Sequence, residues 1–195
     1  MKIAALVLAG GYSSRMGRDK ALVLWEGVPL LERVCEVAAR CCPQVYVFAP
    51  RQRNYQERWG ERYSFLHESN PGQGPLVALS EALTQLQVED SAIAWILLLA
   101  CDLPQLDAQF LQRWSAQLSQ LSPATLAFVP RRNDRWEPLC GFYRTAVLYN
   151  LKEFTQQGGR SFQHWLSQLP VEVIPTGERE RKMFLNCNQP EDFRF

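Results

Sequence analysis

The sequence has little of what would point to several common classes of protein. Its two histidines, His67 and His164, have no partner at ligand spacing, and its six cysteines include no Cys-x-x-Cys pair, so spacing predicts neither a zinc site nor a disulfide framework. The longest apolar run, Ala92 to Cys101, is about half of the roughly 20 residues that cross a bilayer, so we expect no transmembrane helix. A formal net charge of +1 argues against binding of nucleic acid or an anionic membrane through the overall field.

The composition is that of an ordinary folded protein. The chain has 195 residues, of which 47% are hydrophobic and 21% charged, so neither intrinsic disorder nor a fibrous repeat is expected. This length suits one domain spanning residues 1–195. The opening residues run directly into an apolar stretch without a charged leader, so we expect a cytoplasmic protein.

Apolar stretches alternate with segments of helical periodicity, which is typical of βαβ units around a mostly parallel sheet. The continuous apolar character of 3–8 and 94–100 predicts strands that are buried on both faces. We therefore predict an α/β fold. The predicted strands are 3–8, 45–49, 64–67, 94–100, 124–130, 136–144 and 171–175. The predicted helices are 29–42, 54–59, 76–86, 145–157, 162–169 and one that Asp107 caps and that runs through Leu121, and a polar turn is predicted at 131–134.

The most informative segment is 8–20, which follows the first predicted strand and reads L-A-G-G-Y-S-S-R-M-G-R-D-K. Glycines let backbone amides approach a ligand closely, and Arg15, Arg18 and Lys20 can offset phosphate charge. The spacing is neither GxxxxGK[ST] nor GxGxxG, so it supports neither a Walker-type ATPase nor a dinucleotide oxidoreductase. Residue chemistry leaves two interpretations open: a loop that binds a nucleoside triphosphate, or a strand-to-helix turn with solvated basic side chains.

Asp102 follows the most apolar predicted strand directly. Open α/β sheets place their ligand crevices at the carboxyl ends of strands, and Mg²⁺ prefers carboxylate and phosphate oxygens. One aspartate together with a triphosphate therefore suffices for a magnesium site. The alternative is a turn aspartate that bonds the Leu103-Pro104 backbone.

The motif L-A-G-G-x-x-S-R-M-G-x-D-K closely resembles the opening signature of molybdenum cofactor guanylyltransferases, within the wider nucleotidyltransferase group. Similar pieces follow in the same order over nearly the whole chain: Gly74-Pro75-Leu76, Cys101-Asp102-Leu103-Pro104 and the segment 186–192, N-C-N-Q-P-E-D. The resemblance implies a single-domain Rossmann-like three-layer sandwich of the nucleotide-diphospho-sugar transferase type. It also implies Mg²⁺-assisted transfer of GMP from GTP to the terminal phosphate of molybdopterin that carries molybdenum, with release of pyrophosphate.

The same resemblance implies roles for particular residues. Lys20 would neutralise phosphate charge, Arg15 would reach the leaving pyrophosphate, and Asp102 would hold the metal, so these three are the predicted catalytic residues. The residues predicted to bind the nucleotide are Leu8, Ala9, Gly10, Gly11, Lys20, Glu68 and Asp102.

On the acceptor side, the basic side chain of Arg160 could meet a phosphorylated acceptor, and Asn186 and Asn188 supply amides that resemble the family's acceptor-side motif. Their alternative roles are a solvated surface arginine and the cap of a terminal helix. The predicted partners are GTP, molybdenum-molybdopterin and other proteins of cofactor biosynthesis or molybdoenzyme maturation, with no nucleic acid and no membrane.

Two positions depart from the family pattern. The family often has an asparagine at the end of the second strand and an aspartate at the end of the third, both facing the guanosine, whereas this chain has Phe48-Ala49-Pro50 and Glu68. Gly10 favours GTP, because related cytidylyltransferases tend to have alanine there and the missing methyl makes room for a purine. Three alternatives stay open: use of CTP, a sugar or alcohol phosphate as acceptor, and a non-catalytic guanine-nucleotide-binding adaptor.

Overall fold

A computed structural model of the protein describes residues 1–10 and 19–185. Its strands are β1 (Lys2–Leu8), β2 (Leu24–Trp25), β3 (Val28–Pro29), β4 (Val45–Ala49), β5 (Ser64–His67), β6 (Ile93–Ala100), β7 (Ala127–Arg132), β8 (Arg135–Trp136), β9 (Cys140–Arg144) and β10 (Val171–Ile174). Its helices are α1 (Leu30–Ala39), α2 (Tyr55–Trp59), α3 (Pro75–Glu89), α4 (Ala108–Gln117), α5 (Leu148–Gln156), α6 (Phe162–Leu166) and α7 (Glu178–Lys182). Single 3-10 turns lie at Lys20–Leu22, Arg51–Arg53 and Thr145–Val147.

Seven strands of the described chain form the main sheet in the order β10-β7-β9-β6-β1-β4-β5, and β8 pairs with β7 at its side. The neighbours β6, β1, β4 and β5 are all parallel, and β10 is parallel to β7. The antiparallel strands are β9, which lies between β6 and β7, and the short β8. The sheet is therefore mostly parallel, as the sequence predicts.

Helices cover both faces of this sheet, because the central strands β1 and β6 are apolar at every position except Lys2. Along β1, Ala5 and Val7 pack on one side with α1, α2 and α4, whereas Ala4 and Leu6 pack on the other side with α3, α5 and α6. Successive side chains of a strand point to opposite faces, so a continuous apolar run fills two cores at once. The result is the expected three-layer sandwich.

The first long helix begins later than predicted because a short hairpin precedes it. Pro29 pairs with Leu24 in the β2–β3 ribbon, and α1 starts at Leu30. Glu26 and Gly27 both have positive φ, the two-residue turn that suits the twist of paired strands. The sequence analysis did not predict this hairpin.

The predicted strand 136–144 is two strands. The positive φ angles of Asn133 and Asp134 close a β7–β8 hairpin, so the polar turn is narrower than predicted and β7 continues to Arg132. The chain between β8 and β9 contains Pro138, which has no N–H for a ladder. Downstream, the predicted helix 145–157 begins as a 3-10 turn before α5.

The longest described helix, α3, begins at the edge of the sheet where β1 and β6 end, which is where the sequence predicts the functional residues. Gly74 precedes it with φ near +90°, and Pro75 occupies its first position. No helix in residues 1–10 and 19–185 combines the length and apolar character that crossing a bilayer requires.

Replacing Leu98 with alanine in β6 should lower the free energy of unfolding by about 3 kcal/mol, because its fully buried side chain leaves a cavity in the α3 side of the core. The matched control is Val88→Ala on α3, whose side chain is 86% exposed and whose loss should leave stability unchanged. Urea unfolding of both variants measures the difference. Equal unfolding midpoints would contradict the placement of β6 at the centre of the sheet.

Candidate active site

Four parallel strands end side by side at one edge of the sheet. The Cys101 amide, just past β6, donates to the Leu8 carbonyl at 3.1 Å, and the Ala9 amide donates to the Phe48 carbonyl at 2.9 Å. These bonds hold the segment after β6 against the end of β1, and the segment after β1 against the end of β4. The carboxyl edge therefore gathers residues that are far apart in the sequence.

Lys20 and Asp102 meet at this edge. The Lys20 Nζ donates to Asp102 Oδ2 at 2.7 Å, and the two side chains are only 16% and 18% exposed. Lys20 begins the 3-10 turn after the glycine-rich segment, and Asp102 follows β6. The structure thus brings together two of the three residues that the sequence analysis predicted to be catalytic.

Asp102 has one oxygen to spare. Its Oδ1 atom is buried and has no hydrogen-bond partner among the described residues, whereas Oδ2 accepts from Lys20. A buried carboxylate oxygen without a partner costs free energy, and such atoms in native folds call for a ligand, water or ion. The fold holds Asp102 Oδ1 in place, but no described residue donates a hydrogen bond to it.

Cys101, next to Asp102, is not a reactive thiolate. Burial, with a smaller contribution from the Asp102 carboxylate, raises the pKa of its thiol to about 12. The thiol is neutral near pH 7, and only the thiolate is a good nucleophile or metal ligand. Cys101 is therefore not a nucleophile or metal ligand at this edge near pH 7.

A cavity of about 320 Å³ opens at the same edge, between the end of β1 and the start of α3. Its lining includes three residues predicted to bind nucleotide, Leu8, Gly10 and Glu68, and it also includes Phe48. The lining residues that the sequence analysis did not predict are Gly72, Gly74, Pro75 and Ala78. Phe48 contributes an apolar wall to this cavity.

Glu68 is a buried carboxylate in this cavity. Its backbone amide donates to the Ala49 carbonyl at 3.0 Å, which places it just past β5. The residue is 8% exposed, and Oε2 has no hydrogen-bond partner among the described residues. Burial raises the pKa of its carboxyl, and repulsion from Glu81 raises it further.

Gly10 packs directly against this carboxylate. A Cβ atom built at position 10 would lie 1.8 Å from Glu68 Oε2, closer than any real contact. An alanine at position 10 would therefore require the Glu68 side chain to move. The Glu68 carboxylate fills the space that a Cβ atom at position 10 would need, so the glycine at position 10 makes room for the carboxylate.

The remaining predicted residues are placed as follows. Ala9 is buried in the core on the α1 side of the sheet, and its amide bonds Phe48. The Arg160 guanidinium is exposed and donates to the carbonyls of Thr155 and Gly159, which closes the end of α5. Outside the described residues lie Gly11, Arg15, Asn186 and Asn188.

A family model described as the MobA-like NTP transferase domain matches residues 5–173. The chain belongs to the MobA-like NTP transferase family. A protein of a Nostoc strain named probable molybdenum cofactor guanylyltransferase is 46% identical over 97% of this chain and 88% of its own. A protein of Synechococcus elongatus with the same name is 42% identical over 100% of this chain and 97% of its own.

Solved structures agree with the fold of this MobA-like NTP transferase. The molybdopterin-guanine dinucleotide biosynthesis protein A of Archaeoglobus fulgidus superimposes with a TM-score of 0.77 at 24% identity, covering 97% of this chain and 94% of that one. The 4-diphosphocytidyl-2C-methyl-D-erythritol synthase of Anaerococcus prevotii has a TM-score of 0.72 at 10% identity, covering 98% and 92%. The fold is that of the nucleotide-diphospho-sugar transferase type.

The carboxylate of Asp102 fits a magnesium site in which water and substrate phosphate supply most of the ligands. Across the described part of this MobA-like transferase, no group of three His, Cys, Asp or Glu side chains is arranged to hold a metal ion. Mg²⁺ keeps several waters and takes substrate phosphate oxygens beside one or two carboxylates, so it does not need such a group. The unpartnered Asp102 Oδ1 is the atom that suits it.

Sequence reasoning missed the residues that hold Asp19, the neighbour of Lys20 in the Asp-Lys pair. Tyr55 and Arg53, from α2 and the turn before it, both bond the Asp19 carboxylate. The only signal in the sequence was the acidic residue beside Lys20, the lysine predicted to be catalytic. Nothing local indicates that a segment more than thirty residues later would bind it.

Replacing Glu68 with glutamine should raise the stability of this MobA-like transferase at pH 7.5, and the gain should shrink towards pH 4. The pKa of the Glu68 carboxyl is higher in the folded protein than in the unfolded chain. Its protonation therefore stabilises the fold fully below the unfolded pKa, and this stabilisation is lost as the pH rises through the folded pKa. Urea unfolding at both pH values measures this. The exposed Glu57→Gln is the control, and the same pH profile in both variants would contradict the buried placement of Glu68.

Proposed function

We propose that this chain transfers the GMP group of GTP to the terminal phosphate of molybdopterin that carries molybdenum, and releases pyrophosphate. The observation that carries the proposal is the Lys20–Asp102 pair with its spare carboxylate oxygen, at the sheet edge where the nucleotide-sized cavity opens. The names of the relatives, which match nearly the whole chain, support the substrates. The product would be the guanine dinucleotide form of the cofactor.

The chemistry is a displacement at the α-phosphorus of GTP. A phosphate oxygen of the acceptor forms the new bond, the bond from the α-phosphorus to the bridging oxygen breaks, and pyrophosphate leaves with the electron pair. Negative charge grows on the phosphate oxygens, so fixed cations lower the barrier. Lys20 supplies such a charge from a partly buried position, and we assign Arg15 to the leaving pyrophosphate.

Asp102 would hold the metal through Oδ1. A bound Mg²⁺ would supply positive charge against the triphosphate. The Lys20 ammonium on Oδ2 keeps the carboxylate in place, and Oδ1 has no hydrogen-bond partner among the described residues. Lys20 thereby serves twice, because it orients the metal ligand and offsets phosphate charge.

The cavity supports guanine as the base. Guanine presents two N–H donor groups side by side, N1–H and the 2-amino group, and a carboxylate can accept from both. Glu68 is a desolvated carboxylate with an unused oxygen, so a ligand with two donors would relieve the cost of burying it. The neighbouring backbone of Leu8, Ala9, Gly10 and Gly11 would line the rest of the nucleoside path.

We keep Arg160, Asn186 and Asn188 as acceptor-binding residues, and Arg160 would have to exchange its bonds to the end of α5 for a phosphate. We propose that residues 1–195 act as one nucleotidyltransferase domain, because β1 and β10, from the two ends of the described chain, share a sheet. The cytoplasmic location and the contacts with other cofactor-biosynthesis proteins stay predictions.

Lys20→Ala should lower kcat for pyrophosphate release by roughly 10²–10³-fold, because it removes a fixed charge from the transition state. Asp102→Asn should sharply weaken the dependence of the rate on Mg²⁺ concentration. Labelled GTP, the loaded pterin and a magnesium titration measure both effects. The matched control is Lys2→Ala, which removes an ion pair with Asp90 at the opposite, amino edge of the same strands.

Full activity in Lys20→Ala or Asp102→Asn would remove these residues from the site. No pyrophosphate release by the folded wild-type protein would remove the transferase proposal and favour the adaptor alternative. Turnover by the pure protein would exclude the adaptor. An acceptor series that includes sugar and alcohol phosphates identifies the acceptor class in the same assay.

GTP should compete with labelled GTP far better than CTP, ATP or UTP, because only guanine offers both donors to Glu68. In Glu68→Ala the preference for GTP over CTP should fall roughly tenfold or more, the value of a lost hydrogen bond to a charged group. Glu57→Ala, which removes an exposed carboxylate, should keep the preference. Equal affinity of the wild type for GTP and CTP would overturn the guanine assignment.

A further inference from the structure

The Asp19 carboxylate is bound by groups from three places in the chain. Its Oδ1 accepts from the Ala21 amide at 3.2 Å, which caps the 3-10 turn that begins with Lys20. The Tyr55 hydroxyl lies 2.7 Å from Oδ1 and 2.6 Å from Oδ2. The Arg53 guanidinium pairs with Oδ2 at 2.9 Å. Both oxygens of Asp19 are therefore engaged.

Tyr55 is a rigid donor to this carboxylate. It is 3% exposed, lies in the core on the α1 side of the sheet and packs edge-to-face on Trp59 with 6.0 Å between ring centroids. Burial raises the pKa of its phenol, and the hydrogen bond to Asp19 raises it further. The phenol thus stays protonated and donates, and a hydrogen bond from a buried donor to a charged acceptor is one of the stronger kinds.

The contacts of Asp19 determine where the next residue lies. The Leu22 amide donates to the Asp19 carbonyl at 3.1 Å, and Ala21 is buried in the core, so the turn is held at its start and at its middle. The Lys20 side chain leaves this turn to reach Asp102 at 2.7 Å. Tyr55 and Arg53 bond the carboxylate of Asp19, the residue before Lys20. They therefore hold the start of the turn in place and oppose a movement of Lys20 along the edge of the sheet.

We propose that Tyr55 and Arg53, acting through Asp19, are positioning residues that hold Lys20 against Asp102. Neither residue needs to touch substrate in this role. Its consequence for catalysis rests on the proposed transferase function, whereas its consequence for the geometry of Lys20 does not. The two consequences are measured separately.

The geometry is tested by the reactivity of the Lys20 amine. Trace acetylation of the full chain with acetic anhydride, followed by mass spectrometry, gives the rate at each lysine. Tyr55→Phe and Arg53→Gln should each raise the rate at Lys20 severalfold, because a released side chain is more accessible to the reagent. Lys2, Lys152 and Lys182 in the same sample serve as references, since general loosening of the fold would raise their rates too.

Tyr63→Phe is the matched control. Tyr63 is also a buried tyrosine, but its hydroxyl has no hydrogen-bond partner among the described residues. Its replacement should leave the Lys20 rate unchanged. Arg53→Gln keeps the proposal testable if Tyr55→Phe fails to fold, because Arg53 lies in a surface turn with its side chain 26% exposed.

The catalytic consequence is tested by a double-mutant cycle. Tyr55→Phe should lower kcat roughly tenfold, with a smaller change in KM for GTP. The same substitution in the Lys20→Ala background should cost little more, because its effect passes through Lys20. A purely structural role would lower kcat by the same factor in both backgrounds and would overturn the proposal.

The remaining outcomes separate the two proposals. A selective rise in the Lys20 rate with an inactive wild type would support the positioning role and overturn the transferase function. An unchanged Lys20 rate in both Tyr55→Phe and Arg53→Gln, with an active wild type, would overturn the positioning role alone.

Discussion

Parallel pairing of β1 with β6 on one side and β4 on the other is the constraint on which the site depends. It places the carboxyl ends of neighbouring strands at one edge, and hydrogen bonds between the segments beyond the strands keep them there. Those strands are apolar at nearly every position, so their register depends on how the side chains pack in both layers rather than on an alternation of polar and apolar residues. The packing of the core therefore determines how precisely the residues at the carboxyl edge are positioned.

Two carboxylates at this edge are buried without full hydrogen bonding. Asp102 Oδ1 and Glu68 Oε2 both lack partners among the described residues, and they lie past β6 and β5 on either side of the end of β1. A buried carboxylate oxygen without a partner lowers the stability of the fold, so a bound donor or cation at either atom would recover free energy.

Local patterns predicted the layers well. The apolar run of β6 and the periodicity of α3 identified both elements, because burial on two faces or on one face leaves a direct trace in sequence. The β2–β3 hairpin escaped prediction because its strands are two residues long and its turn combines Glu26 with Gly27. The split between β8 and β9 depends on which strand each segment pairs with, and no local pattern carries that information.

The sequence alone determined the types of the long elements, the α/β class and the chemical character of the glycine-rich segment, since periodicity and residue type are local properties. Tertiary structure alone decided that Lys20 bonds a carboxylate 82 positions away, that Gly10 makes room for Glu68, and that Tyr55 binds Asp19. These contacts follow from strand order and register. Both arise from the packing of the whole sheet, which a single segment of sequence does not specify.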